Sequence, residues 1–137
     1  MLYVLVGIAG IFGALARYDL GIWIGMHVHT IFPFATLCIN MIGCFLLGWL
    51  TMHIFKSKNV HPYIASALGT GFVGSFTTFS TFSVETVQLF QQSLYIYAVL
   101  YIFCSLFGGL MMSWAGFKIG ARLHARSKAH QVQTQEN

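Results

Sequence analysis

The stretch Gly69-Thr-Gly-Phe-Val-Gly-Ser-Phe-Thr-Thr-Phe-Ser-Thr-Phe-Ser-Val-Glu85 decides how this chain folds. It lies in a long apolar segment, yet five of the seven residues from Thr77 to Ser83 carry hydroxyl groups. Glycines precede this run and β-branched threonines lie within it, and neither favours a continuous helix. The sequence therefore predicts a helix that is interrupted near Gly74–Thr78.

The chain around this stretch is too apolar for a soluble domain. Of its 137 residues, 57% are hydrophobic and 7% are charged, whereas about 25% of residues are charged in an ordinary soluble domain. Four apolar segments are long enough for the roughly 20 residues of a spanning helix. They are Leu2–Ala16 continued to about Ile24, Phe34–Phe55, Tyr63–Val84 and Leu94–Phe117. We predict an all-α membrane protein of four transmembrane helices, with the third helix broken.

The segments divide the chain into one domain and a tail. We expect a four-helix transmembrane domain over residues 1–125 and a polar, disordered cytoplasmic tail over residues 126–137, which lacks apolar periodicity. Pro33 and Pro62 stand where the second and third helices are predicted to begin, because a missing N–H costs nothing there.

The positive charges favour one side of the predicted spans. Arg17 falls on one side, and the other side carries Lys56, Lys58, Lys118, Arg122, Arg126 and Lys128. The positive-inside rule therefore places both termini in the cytoplasm. The net charge of +4 is thus explained by contact with a lipid bilayer, and we expect no nucleic-acid partner.

Reactive side chains form no recognisable catalytic pattern. The three cysteines lie in apolar segments and have neither disulfide nor metal-ligand spacing. His27 and His29 alternate in a loop without a carboxylate cluster, which makes metal binding there a weak hypothesis. We find no nucleophile motif or nucleotide-binding loop, and we predict that the chain is not an enzyme.

An interrupted helix has consequences inside a membrane. Its freed N–H and C=O groups cannot face lipid and must be satisfied by protein, water or an ion. Unwound backbone near the bilayer midplane is a recurrent way to build an ion site. The alternative is that the hydroxyls bond to the preceding turn and only kink the helix. The density of hydroxyls, together with Phe79 and Phe82, favours the ion site.

Residues 74–85, Gly-Ser-Phe-Thr-Thr-Phe-Ser-Thr-Phe-Ser-Val-Glu, closely resemble the signature of the Fluc (CrcB) fluoride-channel family. Segments 10–18, 34–48 and 101–105 agree with the other three helices of that family in order and spacing. The resemblance implies an antiparallel dimer with two fluoride pathways along the subunit interface. It also implies passive fluoride export across the cell (plasma) membrane of a prokaryote by a multi-pass protein.

The resemblance assigns a fluoride pathway to residues on three helices. These are the pore phenylalanines Phe79 and Phe82, the pore asparagine Asn40, and Thr36, Ser80, Thr81, Tyr101 and Ser105, which supply hydroxyl groups. Spacing alone would favour core packing for the two rings, and Asn40 at membrane depth is equally well read as a link between helices. Along the hydroxyl residues of the fourth helix, Gly109 stands at a position where other family members have a serine.

The resemblance also implies a structural sodium ion at the dimer centre. Gly74 and Thr77 match the positions whose backbone carbonyls hold that ion. Apart from the sodium ion, we expect Arg17 to attract anions into a vestibule, although it also fits an ordinary snorkelling arginine. Glu85 ends the third-helix motif and is expected near a pore mouth, because a charge is costly deeper in the membrane. The partner is a second channel subunit, either a copy of this chain or an oppositely oriented paralogue. Many family members show dual topology, whereas the charge bias here favours one fixed orientation.

Two other functions compete with a fluoride channel. A small proton-coupled multidrug transporter also uses four helices and dual topology, but it needs a carboxylate in its chamber, for which Glu85 is the candidate. A structural or assembly subunit would explain the glycines in the spans but not the Thr/Ser/Phe run.

Overall fold

A computed structural model describes the backbone of residues 1–53 and 61–135 and the side chains of residues 1–52 and 61–125. Over these residues the chain is built from helices and connecting turns, as the sequence predicts. The helices are α1 (Leu2–His27), α2 (Phe34–His53), α3 (Pro62–Ser66), α4 (Gly74–Phe76), α5 (Phe79–Gln91) and α6 (Tyr95–Gln135), and a π-helical segment, Ala67–Val73, joins α3 to α4.

Within the part of the chain that the structure describes, three helices are long and apolar enough to cross a membrane. They are Leu2–His27, Phe34–Met52 and Tyr95–Ala125. The predicted third span is instead divided among α3, the π-helical segment, α4 and α5, so each of its helical pieces is short. The chain is an all-helical membrane protein, and the helix of its signature stretch is bent, as expected.

The interruption lies at Thr77 and Thr78. Thr77 (φ −80°, ψ 159°) and Thr78 (φ −146°, ψ 120°) are both extended, and they separate α4 from α5. Before them, the N–H of Gly74 bonds the carbonyl of Gly69, five residues earlier. Such π-turns are rare and recur at functional sites. The distortion therefore begins before the break that the sequence predicts.

Close helix contacts depend on glycine. Gly13 of α1 lies against the backbone carbonyl of Phe72 in the π-helical segment, where a Cβ atom would collide. Gly48 of α2 lies equally close to the carbonyl of Ser113, and Gly116 of α6 to that of Phe45. Small residues let membrane helices approach closely. The contacts thus hold the interrupted stretch on α1, and α2 on α6.

The end of α6 differs from expectation. Its helix continues to Gln135 and so includes most of the segment predicted to be a disordered tail; this segment is rich in helix-forming Ala, Arg, Lys and Gln. The division of the chain at residue 125 stays a prediction. Lys56 and Lys58, and the side chains of Arg126 and Lys128, lie outside the described residues.

Candidate functional site

Asn40 joins α2 to the interruption through two hydrogen bonds. Its Nδ2 donates to the backbone carbonyl of Thr78 at 2.9 Å, and its Oδ1 accepts from the N–H of Thr78 at 2.8 Å. Only one orientation of the amide satisfies both bonds, which fixes the positions of its oxygen and nitrogen. The side chain thus replaces the backbone partners that Thr78 lacks outside a helix, and one N–H of Asn40 is left for another acceptor.

The side chain of Thr78 starts the next helix. Its Oγ1 accepts from the N–H of Thr81 at 3.2 Å, which is the N-cap arrangement for α5. The same oxygen lies 2.9 Å from Oγ1 of Thr81 and 3.3 Å from Oγ of Ser80. Three hydroxyl residues of the predicted run therefore form a connected cluster at the start of α5, whereas Thr77 and Ser83 donate to carbonyls one turn earlier, at Val73 and Phe79. Ser80 and Thr81 are exposed, whereas Thr78 is buried.

The two carbonyls expected to bind sodium lose their helical donors. In an unbroken helix, the N–H groups of Thr78 and Thr81 would bond the carbonyls of Gly74 and Thr77. Here Thr78 donates to Asn40, and Thr81 donates to the side chain of Thr78. Because oxygen atoms suit a hard cation, the diverted bonds make these carbonyls fit the proposed ion. Within the described residues, no cluster of three or more His, Cys, Asp or Glu side chains offers a metal site.

An apolar cavity of about 530 Å³ opens beside the interruption. Its lining includes six of the predicted site residues, namely Asn40, Gly74, Thr77, Phe79, Phe82 and Ser105. Phe79 is 80% exposed, and many other large apolar side chains of the described residues are exposed as well, as expected for a chain whose outer surface faces lipid. The structure therefore brings together residues from α2, the interrupted stretch and α6 around one space.

The aromatic rings form a continuous series from the cavity into the core. The centroids of Phe79 and Phe82 are 5.8 Å apart, and those of Phe82 and Tyr101 are 5.0 Å apart. Phe32 contacts the other side of Tyr101 edge-on at 5.6 Å. Ring edges carry the positive end of the aromatic quadrupole. Phe82 thus lies between the cavity and a second polar group.

That second group is a carboxylate held by two hydroxyls. Thr36 donates to Oε1 of Glu85 at 2.8 Å, and Tyr101 donates to Oε2 at 2.8 Å. Thr36 is 6% exposed and Tyr101 is fully buried, while Glu85 is half-buried. Hydrogen bonds to an ionised group are stronger than neutral ones. The three residues connect α2, α5 and α6.

Some predicted residues lie apart from the cavity. Thr36, Tyr101 and Glu85 form their own group, and none of the three lines the cavity, although Tyr101 contacts Phe82, which does. Arg17 is half-buried on α1, which packs on the π-helical segment and α4, and it does not line the cavity either. The roles of these residues in a fluoride pathway or vestibule stay predictions.

Sequence reasoning missed two residues of the site. Thr78 is the residue whose backbone Asn40 bonds, and its side chain accepts from the N–H of Thr81. The available signal was a threonine, a preferred N-cap residue, directly before the start of a helix. Gly43 lies on the same face of α2 as Asn40 and lets Thr77 approach the helix, since a Cβ there would collide with the methyl group of Thr77.

The sequence of this chain is similar to those of known proteins over most of its length. Residues 4–117 match the family described as CrcB-like protein, Camphor Resistance (CrcB). The chain is 54% identical to the fluoride-specific ion channel FluC 1 of Bacillus cereus over 120 residues, which cover 88% of each protein. It is 53% identical to FluC 1 of Desulfitobacterium hafniense, over 79% of this chain and 93% of that protein.

A more distant relative covers nearly the whole chain. The fluoride-specific ion channel FluC 2 of Listeria monocytogenes is 40% identical over 96% of this chain and 99% of its own length. These relatives are ion channels, and the expectation that this chain is not an enzyme is confirmed. The chain belongs to the CrcB family.

Proposed function

We propose that this protein is a fluoride-selective ion channel that exports fluoride passively and so relieves fluoride toxicity in the cytoplasm. The observation that carries the proposal is the interruption at Thr78, held by Asn40 beside a cavity lined by Phe79 and Phe82. The names of its relatives support fluoride as the transported ion. Hydrogen fluoride enters a cell by diffusion and dissociates in the more neutral cytoplasm, and the trapped anion leaves through the channel.

Neutral groups form the proposed pathway. A bare anion in hydrocarbon would cost on the order of tens of kcal/mol by a Born estimate, so its lost hydration must be replaced. Asn40, Phe79, Phe82 and Ser105 line the cavity, and in this proposal an N–H, two ring edges and a hydroxyl from them replace that hydration. Neutral donors hold an ion less tightly than a fixed positive charge, which allows it to leave.

The carboxylate group gives the pathway a second polar part. Tyr101 touches Phe82 with its ring and holds Glu85 with its hydroxyl. We place Thr36, Glu85 and Tyr101 at the mouth of the pathway next to Phe82, with Arg17 in the vestibule. The hydroxyls of Ser80 and Thr81 extend the polar surface on the side of Phe79.

The functional unit is an antiparallel dimer, and each subunit crosses the membrane four times. In this proposal α3, the π-helical segment, α4 and α5 together form one crossing, which adds to α1, α2 and α6. The open cavity beside Phe79 and the exposed hydroxyl residues Ser80 and Thr81 support a second subunit that completes each pathway, because polar groups are unfavourable against lipid. A structural sodium ion held by the carbonyls of Gly74 and Thr77 from both subunits would join the two interrupted stretches at the centre.

The partner's orientation follows from the charges. Both termini lie in the cytoplasm of a prokaryote by the positive-inside rule, and the bias suggests a fixed orientation in the cell membrane. In the cell an antiparallel partner is then an oppositely oriented paralogue, whereas copies of this chain inserted in both orientations into liposomes can pair with each other. Topology reporters fused to both termini test this arrangement. Comparable signals from both sides of the membrane would instead indicate dual topology and a homodimer.

Ion efflux from liposomes tests the function itself. Purified protein should release trapped fluoride, followed with a fluoride electrode, while trapped chloride stays inside. A proton gradient should leave the fluoride rate unchanged. Proton movement driven by added drugs would instead support the multidrug transporter, for which Glu85 would be the carboxylate. Absence of any flux from folded protein, reconstituted with its paralogue where one exists, would support a structural subunit.

A further inference from the structure

The side chains of α6 mark where the helix crosses the bilayer. Tyr95 and Tyr97 stand at its start and Trp114 lies further along, with exposures of 58%, 42% and 60%. The interval from Tyr95 to Trp114 is about 20 residues, or about 30 Å of helix, which equals the thickness of the hydrocarbon core. Tyrosine and tryptophan are enriched at the two membrane interfaces. Trp114 therefore lies at the interface nearer the C terminus.

Two cations follow Trp114 on the same face of α6. Lys118 and Arg122 come four and eight residues later, so each lies about one turn beyond the last. Both are exposed, and at a rise of 1.5 Å per residue they lie about 6 Å and 12 Å past the tryptophan, at headgroup depth. Nζ of Lys118 is 3.7 Å from the centroid of the Trp114 ring. The ring thus fixes the ammonium group by a cation–π contact.

This face points away from the rest of the subunit. Gly116 and Gly120 of α6 lie against the backbone of α2 at Phe45 and Trp49. Lys118 is two residues from each of them, a rotation of about 200° around the helix. Ser105 and Leu106, which line the cavity, are also on the other side of α6. The cationic face therefore looks toward lipid rather than toward α2 or the proposed pathway.

The charges on this face have no acidic counterpart on their own helix. The sequence from Tyr95 to Ala125 contains no Asp or Glu. Arginine binds phosphate oxygens in a bidentate manner and lysine binds them as a point charge. The face therefore matches one lipid molecule: the arginine and the lysine beside the indole ring suit its phosphate, and the apolar part of the helix suits its acyl chains.

We propose that Trp114, Lys118 and Arg122 form a binding site for an anionic phospholipid at the interface nearer the C terminus. The phosphate contacts Lys118 and Arg122, the glycerol region lies against Trp114, and the acyl chains follow the exposed apolar side of α6. This site is distinct from the fluoride pathway and does not depend on it.

Native mass spectrometry of the purified full-length protein tests this site. Phosphatidylglycerol and phosphatidylcholine of equal chain length are titrated, and bound lipid is counted. We expect tighter binding of phosphatidylglycerol, and about thirtyfold weaker binding for K118Q/R122Q, because two cations near the headgroup are lost. W114L keeps both charges and should bind about threefold to fivefold more weakly. K118R/R122K should bind like the wild type.

The matched control removes the same charge elsewhere. K56Q/K58Q should stay within about threefold of the wild type, because these two lysines are not among the three residues that define the proposed site. If this control lost as much phosphatidylglycerol binding as K118Q/R122Q does, the effect would be one of overall charge, and the proposed site would be overturned. The proposed site would also be overturned if the wild type bound both lipids equally, or if K118Q/R122Q bound phosphatidylglycerol as tightly as the wild type. A change in subunit assembly without a change in lipid binding would assign the face to a protein partner, and displacement of the lipid by millimolar glycerol phosphate would assign it to a soluble phosphate.

Discussion

Asn40 and Thr78, which are 38 residues apart in the chain, are joined by two hydrogen bonds of 2.9 and 2.8 Å. This pairing allows the helix to stop inside the membrane, because both backbone groups of Thr78 find partners in one side chain. It also diverts the N–H of Thr78 from the carbonyl of Gly74. One amide therefore accounts for the break, for a free carbonyl beside it and for a neutral donor at the cavity.

The cap at the start of α5 is open to a direct test. T78V keeps the size of the side chain and both backbone bonds to Asn40, but it removes the oxygen that accepts from Thr81. We expect a loss of about 1 kcal/mol in the free energy of unfolding, measured by thermal melting, together with slower fluoride efflux. T86V is the control, because the hydroxyl of Thr86 bonds only the carbonyl of Phe82 one turn earlier. Equal melting of the two variants would contradict the cap.

A double-mutant cycle measures the bond between Tyr101 and Glu85. Y101F removes a hydrogen bond to a carboxylate, which contributes about 1.5–3 kcal/mol in the wild type, whereas a bond to a neutral amide contributes about 1 kcal/mol. Thermal melting should therefore show a smaller effect of Y101F in an E85Q background. Y97F is the control on the same helix, since Tyr97 is 42% exposed. If Y101F has the same effect in both backgrounds, Glu85 is not its partner.

Sodium dependence tests the proposed ion at the dimer centre. Replacement of sodium by N-methylglucamine should lower the melting temperature of the wild type. A Cβ added at Gly74 would have its nearest neighbour, the carbonyl of Gly69, at 3.8 Å, an ordinary contact within the subunit. G74A should therefore fold yet lose most of the sodium effect, because the methyl group meets the partner. G25A, with nothing within 4 Å, is the control. Identical melting of the wild type in both salts would exclude a stabilising sodium ion.

The seam between α1 and the interrupted stretch should be intolerant of added volume. A Cβ at Gly13 would collide with the backbone carbonyl of Phe72, whereas one at Gly7 has nothing within 4 Å. We expect G13A to lower the free energy of unfolding by about 1–3 kcal/mol and G7A to leave it nearly unchanged. If the melting curves of the two variants coincide, α1 and the interrupted stretch can move apart to accommodate the methyl group without loss of stability.

The sequence predicted the helices and the break from local properties. Apolar length located three spans, and the glycines and threonines before Phe79 located the interruption, while the fourth crossing stays a prediction. The partners of polar groups depend on residues far along the chain and were not predicted. The sequence offered Asn40 as an ion ligand or a link between helices, and the structure gives it a backbone partner. Thr36 and Tyr101 both donate to Glu85, a partner that the sequence did not indicate, and their place in a fluoride pathway stays a prediction.

The π-helical segment also escaped prediction. Seven residues, Ala67–Val73, adopt it, and their sequence differs little from that of an ordinary glycine-rich span. The packing of Gly13 on Phe72 and of Gly71 on Val6 accompanies this local winding. Such an effect arises from tertiary contact and leaves no periodic signal in the sequence.

Fluoride efflux through N40D tests the central claim most directly. The aspartate keeps an acceptor for the N–H of Thr78, but it loses the donor to the carbonyl of Thr78 and places an acceptor-only charge at the cavity. Wild-type protein in liposomes should empty them of fluoride, and N40D of the same assembly state should give no flux above that of protein-free liposomes. Efflux through N40D at the wild-type rate would remove Asn40 from the pathway and contradict this account.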